Sequence, residues 1–251
     1  MSYYINIYHD IDFAIVAPMA NEENDFHPFV NELKKILTRL NSGTVYLIVD
    51  EVSKDRTLEL CKLLSEIDKR FVTVWSPENK NVVDAYLKGY KTALANGHEI
   101  IIEIDAGLSH DPRAIPMFLR VLNEGNECAF GSRFINGGSI QDSSYKRTFL
   151  SKFGTLLSNL LLGSRMYDMP SGFQGFHASV VKIFVNYPLK STAHFYQTEL
   201  RYLLRKKRYS EVPIHYRAPS PSVSGKAIMN SFSVLLYYFF KRISGKAIIL
   251  K

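Results

Sequence analysis

Four short runs of β-branched and aromatic residues recur in the first half of the chain, each followed by a segment long enough for a helix. They occupy residues 13–17, 45–49, 71–75 and 100–104. This alternation is typical of βαβ units in a parallel sheet. We therefore predict an α/β fold with a Rossmann-like, mostly parallel central sheet flanked by helices.

Two of the connecting segments place apolar residues three and four positions apart, which is the spacing of one helical face. The first set is Phe29, Leu33, Ile36, Leu37 and Leu40, and the second is Leu60, Leu63, Leu64 and Ile67. We predict two helices that turn these faces towards the core.

The alternation weakens beyond about residue 125. We expect a helix at about 146–162, another near 195–206 and a strand near 209–216. A loop rich in Pro and Ser follows at 218–225, and its composition suits a mobile lid. The segment 228–243 is rich in aromatic residues and ends in Lys241 and Arg242. It predicts a helix that either lies in a membrane interface or packs on the core or a partner chain.

Composition narrows the classes of protein that fit. The 251 residues, 46% of them hydrophobic, suit one compact domain. Cys61 and Cys128 lie in apolar stretches without metal-ligand spacing, so we expect buried thiols. No export signal or run of about 18 apolar residues is present, which predicts a cytoplasmic protein. The net charge of +7 suits anionic partners. No nucleic-acid-binding motif accompanies it, so we expect no nucleic acid partner.

Acidic side chains follow three of the predicted strands. Ligands of an open parallel sheet gather at the carboxyl ends of its strands. Asp105 ends a buried apolar run, where a carboxylate could hold Mg²⁺ or Mn²⁺ against a nucleotide diphosphate. Its alternative role is to cap a helix, although Asp111 or Ser109, just before Pro112, is better placed for that.

Three segments resemble the donor-site motifs of family 2 glycosyltransferases. They are Ala17-Pro18-Met19-Ala20-Asn21-Glu22-Glu23-Asn24, Asp50-Glu51-Val52-Ser53-Lys54-Asp55-Arg56-Thr57 and Asp105-Ala106-Gly107-Leu108-Ser109-His110-Asp111-Pro112. Later matches are Gly131-Ser132-Arg133-Phe134, Lys146-Arg147 with Ser151, Asp168 with Ser171-Gly172-Phe173, Gln197 with Glu199, and Glu211-Val212-Pro213-Ile214. Within the family, the chain is most similar to dolichol-phosphate mannosyltransferases and their bacterial polyprenyl-phosphate relatives.

The resemblance implies a GT-A type fold in a single glycosyltransferase domain over residues 1–251. The segment from about residue 13 to 125 would bind a GDP- or UDP-sugar, and the segment from about 126 to 225 would bind the acceptor. The segment from about 226 to 251 would be amphipathic and would lie at the cytoplasmic face of a membrane. The implied reaction is an inverting transfer of the sugar to a polyprenyl or dolichyl phosphate, or to a related lipid-linked acceptor.

The resemblance also implies roles for individual residues. Those that would bind the nucleotide-sugar are Pro18, Asn21, Glu22, Asp50, Glu51 and Asp105. Those that would bind the acceptor phosphate are Arg133, Arg147 and Ser151. Asp105 would hold the metal. We predict Asp105, Arg147 and Glu199 as the catalytic residues.

One departure from the family pattern affects the metal. Gly107 stands where the family has a second carboxylate, so Asp105 remains alone in this motif. The diphosphate charge could then be met by a metal on Asp105, or by Arg217 and Lys226 from the lid. Other changes on the donor side, such as Ala20, leave open a noncatalytic relative that only binds a nucleotide.

The acceptor decides whether a base is needed. A phosphate is already anionic near neutral pH, because its second pKa is about 6. A sugar hydroxyl, as in surface polysaccharide synthesis, would need a base, and Asp168 or Glu199 is then the candidate.

Overall fold

A computed structural model describes residues 11–141, 145–217 and 224–251, with the backbone alone at 145–147. Its strands are β1 (Phe13–Met19), β2 (Thr44–Val49), β3 (Phe71–Trp75), β4 (Ile100–Glu103), β5 (Cys128–Ser132), β6 (Ser139–Ile140), β7 (Gln174–His177), β8 (Tyr209–Pro213) and β9 (His215–Tyr216). Its helices are α1 (Phe26–Leu40), α2 (Thr57–Ile67), α3 (Val82–Ala95), α4 (Ile115–Asn123), α5 (Tyr145–Leu162), α6 (Ala178–Phe184), α7 (Phe195–Leu203) and α8 (Gly225–Ile243), with a 3-10 helix at Pro112–Ala114.

Seven strands form one sheet in the order β3-β2-β1-β4-β7-β5-β8. The first four strands of the chain pair in parallel, as predicted. Strand β7 enters between β4 and β5 and runs antiparallel to both, while β8 is parallel to β5. The short strands β6 and β9 form a second, two-stranded sheet. The predicted mostly parallel α/β sheet is confirmed, and β7 joins the two halves of the chain within it.

Helices cover both faces of the sheet because its buried strands carry apolar side chains on both sides. In β1, Phe13, Ile15 and Ala17 pack with α1, α2 and α4, whereas Ala14 and Val16 face α3 and the later helices. Burying one large apolar side chain stabilises the fold by about 1.5–3 kcal/mol. The two apolar layers hold the strand ends in fixed positions.

The predicted inner face of α1 is confirmed, since all five of its residues are buried. The prediction for α2 was wrong at two positions, because Leu63 is 46% and Ile67 81% exposed. The residues that α2 buries are Thr57, Cys61 and Leu64. This helix packs mainly on β3, which is the edge strand of the sheet. Only a narrow strip of α2 is therefore covered.

Several boundaries in the second half differ from the predictions. Helix α7 ends at Leu203, and the strand predicted at 209–216 is two strands, β8 and β9. Most of the predicted lid, residues 218–223, lies outside the described residues. Helix α8 begins at Gly225, capped by the Ser224 hydroxyl. Both cysteines are buried thiols, as predicted. Among the helices that the structure describes, none has the length and apolar character needed to cross a membrane.

Candidate functional site

The loops that follow β1 and β2 are joined at the carboxyl edge of the sheet. The Asn21 side-chain oxygen accepts a hydrogen bond from the Lys54 amide at 2.9 Å, and its amide nitrogen donates to the Val52 carbonyl at 3.1 Å. Asn21 itself adopts the left-handed conformation, with φ of 59°. Its side chain, predicted to bind the nucleotide-sugar, thus holds the two loops together.

A second link between these loops centres on Asp55, which the sequence analysis did not single out. Its carboxylate accepts from the Thr57 hydroxyl at 2.6 Å and from the Glu23 amide at 3.0 Å. Burial would raise the pKa of Asp55, but these hydrogen bonds outweigh it and lower the pKa. The Glu22 amide donates to the Thr57 hydroxyl at 2.8 Å. These hydrogen bonds to Asp55 and Thr57 therefore fix the backbone that carries Glu22.

Three other predicted donor residues lie along the same edge. Pro18 is in β1, opposite Ile48 of β2. Asp50 follows β2, is 6% exposed and accepts a hydrogen bond from the Val52 amide at 3.0 Å. Glu51 is exposed. The predicted nucleotide-binding residues therefore gather at one end of the sheet.

Asp105 lies just beyond β4, with 27% of its side chain exposed. The Tyr86 hydroxyl donates a hydrogen bond to its Oδ1 atom, and His110 Nδ1 lies 3.6 Å from its Oδ2 atom. Burial lowers the pKa of His110, which favours the neutral ring. Tyr86 and His110 therefore hold the Asp105 carboxylate in place.

Gly172 leaves room beside Asp105. A Cβ atom at Gly172 would lie 3.1 Å from Asp105 Oδ2 and 3.2 Å from Gln197 Nε2. Gln197 is 1% exposed, and its Oε1 atom has no hydrogen-bond partner. An orphaned buried acceptor is costly. Asp105 and Gln197 therefore border a small polar space that a glycine keeps open.

Glu22 lies against Gly107. Gly107 has φ of +77°, and a Cβ atom there would lie 3.0 Å from Glu22 Oε2. Burial, together with the negative charges of Asp25, Asp105 and Asp55, raises the pKa of Glu22 to about 7. A carboxylate from the β1 loop therefore stands beside the position at which the Asp105 motif lacks one.

On the acceptor side, Arg133 forms a two-pronged ion pair with Asp168. The distances are 2.7 Å from Nε to Oδ2 and 2.8 Å from Nη2 to Oδ1. The Arg133 side chain is 10% exposed and Asp168 is fully buried. The guanidinium also lies 5.2 Å from the ring centre of Phe134 and 5.5 Å from that of Tyr216. The charge predicted for an acceptor phosphate is thus already balanced by a carboxylate.

The other predicted acceptor residues are in or near α5. Ser151 is half-buried on this helix, and Arg147 belongs to its first turn. The Arg147 side chain lies outside the described residues. The acceptor-phosphate role of both residues stays a prediction.

Glu199, which we predicted to be catalytic, is buried among donors of the protein itself. It is fully buried and accepts hydrogen bonds from the Lys190 and Ser191 amides, both at 2.8 Å. The Tyr238 hydroxyl donates to it at 2.6 Å. Glu199 therefore connects α7 with the preceding loop and with α8, and its catalytic role stays a prediction.

The two cations assigned to the lid differ in their surroundings. Arg217 Nη1 lies 2.8 Å from Glu32, and its Nη2 lies 2.5 Å from Asp111. Two carboxylates therefore already neutralise Arg217, and its role towards a diphosphate stays a prediction. Lys226 is exposed in the first turn of α8.

Asp111 caps the 3-10 helix, as predicted, by accepting a hydrogen bond from the Arg113 amide.

A buried polar network behind Asp105 was missed by the sequence analysis. Glu103 is fully buried and accepts hydrogen bonds from the hydroxyls of Tyr90 and Tyr196, both at 2.5 Å. Burial raises the pKa of Glu103 to about 7. The feature of the sequence that could have indicated this network is Glu103, the single acid within the apolar run 100–104.

Gln174 connects this carboxylate to a buried arginine. Its Nε2 atom donates to Glu103 at 2.9 Å, and its Oε1 atom accepts from Arg201 Nε at 3.2 Å. Arg201 also donates to the carbonyls of Gly131 and Ser171. Burial lowers the pKa of Arg201 to about 10. The network ties β4, β5 and β7 together beneath the site.

Comparison with known proteins places this geometry in a family. Residues 14–184 match the description "Glycosyl transferase family 2". A polyprenol monophosphomannose synthase of Mycolicibacterium smegmatis is 27% identical over 213 residues, which cover 84% of this chain and 79% of that protein. An undecaprenyl-phosphate mannosyltransferase of Micrococcus luteus is 24% identical, covering 81% of this chain and 89% of that protein.

Solved structures show the same fold. One is glucosyl-3-phosphoglycerate synthase from Mycobacterium tuberculosis in complex with Mn²⁺, UDP-glucose and phosphoglyceric acid. It superposes with a TM-score of 0.66 at 14% identity, covering 94% of this chain and 80% of that one. The family match spans well over half of the sequence and includes the acidic edge of the sheet. The chain therefore belongs to glycosyl transferase family 2 and is a glycosyltransferase with the GT-A fold.

Proposed function

We propose that this glycosyltransferase moves a sugar from a GDP- or UDP-sugar to a polyprenyl phosphate, with inversion at the anomeric carbon. The names of its mannosyltransferase relatives support this acceptor class. The observation that carries the proposal is that every acid described between residues 126 and 217 is already bound to a donor of the protein itself.

Those acids are Glu127, Asp168, Glu199 and Glu211. Asp168 is bound by Arg133, and Glu199 by two backbone amides and a tyrosine. Glu211 accepts from the amides of Tyr167 and Asp168, and Glu127 pairs with Lys207. A hydroxyl acceptor requires a carboxylate that is free to take its proton. A phosphate acceptor does not, so this half of the protein suits a phosphate.

The reaction is a single displacement. A phosphate oxygen of the acceptor attacks the anomeric carbon and forms the new carbon–oxygen bond. The bond from that carbon to the nucleotide diphosphate breaks on the opposite side, and its electron pair leaves with the diphosphate. The protein accelerates this step by aligning the two substrates and by stabilising charge on the leaving group.

The donor edge fits a divalent cation held with the diphosphate. Asp105 and Glu22 offer hard oxygen ligands, and Glu22 lies beside Gly107, where the motif lacks its second carboxylate. Mg²⁺ and Mn²⁺ take most of their remaining ligands from phosphate and water. The described residues contain no group of three or more His, Cys, Asp or Glu side chains that could hold a metal. When bound, the cation would neutralise charge on the diphosphate.

The acceptor phosphate would lie between β5 and the start of α5. Arg147 and Ser151 are one helical turn apart on α5, which is the spacing of neighbours on one face. A guanidinium and a hydroxyl suit a phosphate dianion. Arg133, held by its ion pair with Asp168, would border this site in a fixed position.

The test is transfer of radiolabelled sugar from GDP-mannose and from UDP-glucose, each with a short-chain polyprenyl phosphate or the matching polyprenol in detergent. We expect an organic-soluble product from the phosphate and none from the alcohol, and NMR should show an inverted anomeric centre. Arg147→Ala should abolish transfer while nucleotide binding is kept. Arg39→Ala, an exposed arginine on α1, is the matched control. Transfer to the alcohol, or no turnover with any nucleotide-sugar, would refute the proposal.

A further inference from the structure

Helix α5 carries apolar side chains on its exposed side as well as on the side that packs on the core through Leu157, Leu161 and Leu162. Its exposed stripe consists of Phe149, Leu150, Phe153, Leu156 and Leu160, each at least half exposed. Thr155 and Ser158 of the same helix are buried. A helix at the surface of a soluble protein normally places polar residues on its exposed side. This face of α5 therefore lacks a partner among the described residues.

Helix α8 adds a second exposed apolar set. Its members are Ile228, Met229, Phe232, Phe240 and Ile243, all more than half exposed. The opposite side of α8 is anchored in the core by Val234, Leu235 and Tyr238. Of the sixteen exposed large apolar side chains in the described part of the chain, ten lie on these two helices. Such concentration marks an interaction surface.

The two helices meet near their C-terminal ends. The Arg242 guanidinium near the end of α8 donates to the carbonyls of Leu160 and Leu161 at the end of α5, both at 2.9 Å. Beside this junction an open groove of about 610 Å³ is lined by Tyr237, Phe240, Lys241, Ile243, Ser244 and Lys246. We call the exposed residues of both helices, with this groove, the α5–α8 face.

The charge of the protein is concentrated in the same two stretches. Residues 143–167 and 212–251 contain ten of the 31 Lys and Arg residues and none of the 24 Asp and Glu residues. The rest of the chain therefore has 21 basic against 24 acidic residues and is slightly negative. The net charge of +7 comes entirely from the segments that carry the exposed apolar side chains.

We propose that the α5–α8 face docks on the surface of an anionic lipid bilayer, with its apolar side chains in the interface and its cations on the headgroups. Apolar burial together with attraction to anionic lipid is how interfacial helices bind. A second copy of this face would instead place cation against cation. The inference rests on the proposed function, because a polyprenyl phosphate acceptor would be drawn from that bilayer.

The test is sedimentation of the purified full chain with vesicles of phosphatidylcholine, alone or mixed with phosphatidylglycerol, and with no polyprenyl phosphate present. We expect binding to the mixed vesicles, weakened by salt. Leu160→Gln with Phe240→Gln should weaken it about tenfold or more. The matched control is Ile67→Gln, which changes a side chain that is 81% exposed on the opposite layer of helices.

Charge is tested separately. Lys152→Gln with Lys241→Gln should weaken binding to the mixed vesicles about tenfold, since each lysine near an anionic surface contributes to attraction. Lys35→Gln with Lys62→Gln, exposed lysines on α1 and α2, should bind as the unaltered protein does. Equal binding of all variants, or no vesicle binding at all, would overturn the proposal. It would also be overturned by a dimer that Leu160→Gln with Phe240→Gln dissociates, without vesicle binding.

Failure of the two proposals can be told apart. Transfer to a short-chain polyprenyl phosphate in detergent needs no bilayer, so the apolar double variant should keep its activity there. Vesicle binding without any transfer would refute the proposed function alone. Transfer in detergent without vesicle binding would refute the docking surface alone.

Discussion

The Glu22 carboxylate lies against Gly107, with its Oε2 atom 3.0 Å from the point where a Cβ atom at position 107 would stand. Gly107→Ala should therefore destabilise the protein for two reasons. A side chain at φ of +77° costs about 1–2 kcal/mol, and contact with Glu22 adds to it. Gly97→Ala is the matched control, because its φ is +84° and its Cβ position is open. In urea unfolding, Gly107→Ala should lower stability more than Gly97→Ala, and equal losses would show that Glu22 yields freely.

Asp105 and Glu22 should act together on a divalent cation. In titrations of Mn²⁺ followed by electron paramagnetic resonance, with GDP or UDP present, Asp105→Asn should weaken binding about tenfold or more. Glu22→Gln should also weaken binding, whereas Glu66→Gln, an exposed acid on α2, should not. Unchanged Mn²⁺ binding in both site variants would show that the cation does not bind at this edge of the sheet.

Arg133 should matter for folding as well as for the acceptor site. Arg133→Ala leaves the buried Asp168 carboxylate without its cation, which costs about 3–5 kcal/mol. Arg165→Ala, an exposed arginine, should change the free energy of unfolding by less than about 0.5 kcal/mol. Adding Asp168→Asn to Arg133→Ala should recover part of the loss, because the unpaired buried carboxylate is then removed. No recovery would mean that the backbone contacts of Asp168 carry the effect.

Stability should fall in acid through Asp111. Burial alone would raise the pKa of Asp111, but hydrogen bonds from Arg113 and Arg217 lower it from 3.8 to about 2. A lowered pKa in the folded state means that stability is present above the unfolded pKa and is lost as pH falls towards the folded pKa. The contribution of about 2 kcal/mol should disappear between about pH 4 and about pH 2. Asp111→Asn should remove this part of the pH dependence of urea unfolding, and an unchanged slope would contradict the assignment.

Local patterns predicted the first half of the fold well. Strand and helix periodicity depends on residues that are close in sequence, so β1 to β4 and the inner face of α1 could be found directly. The acidic strand ends, including Asp105, followed from the same pattern because parallel strands finish at one edge. The family motifs then indicated the GT-A fold and the chemistry.

Other features depended on which distant residues meet. Glu22 and Gly107, Arg133 and Asp168, and Arg217 and Glu32 come together only through the order of strands in the sheet. Whether a charge is available to a ligand is decided by such partners, which periodicity does not report. Exposure of Leu63 and Ile67 likewise depends on α2 packing at the edge of the sheet. The sequence by itself determined most of the elements and the acidic side chains that follow the parallel strands. Only the tertiary structure decided which charges are neutralised and which apolar faces stay open, because both depend on contacts between distant segments.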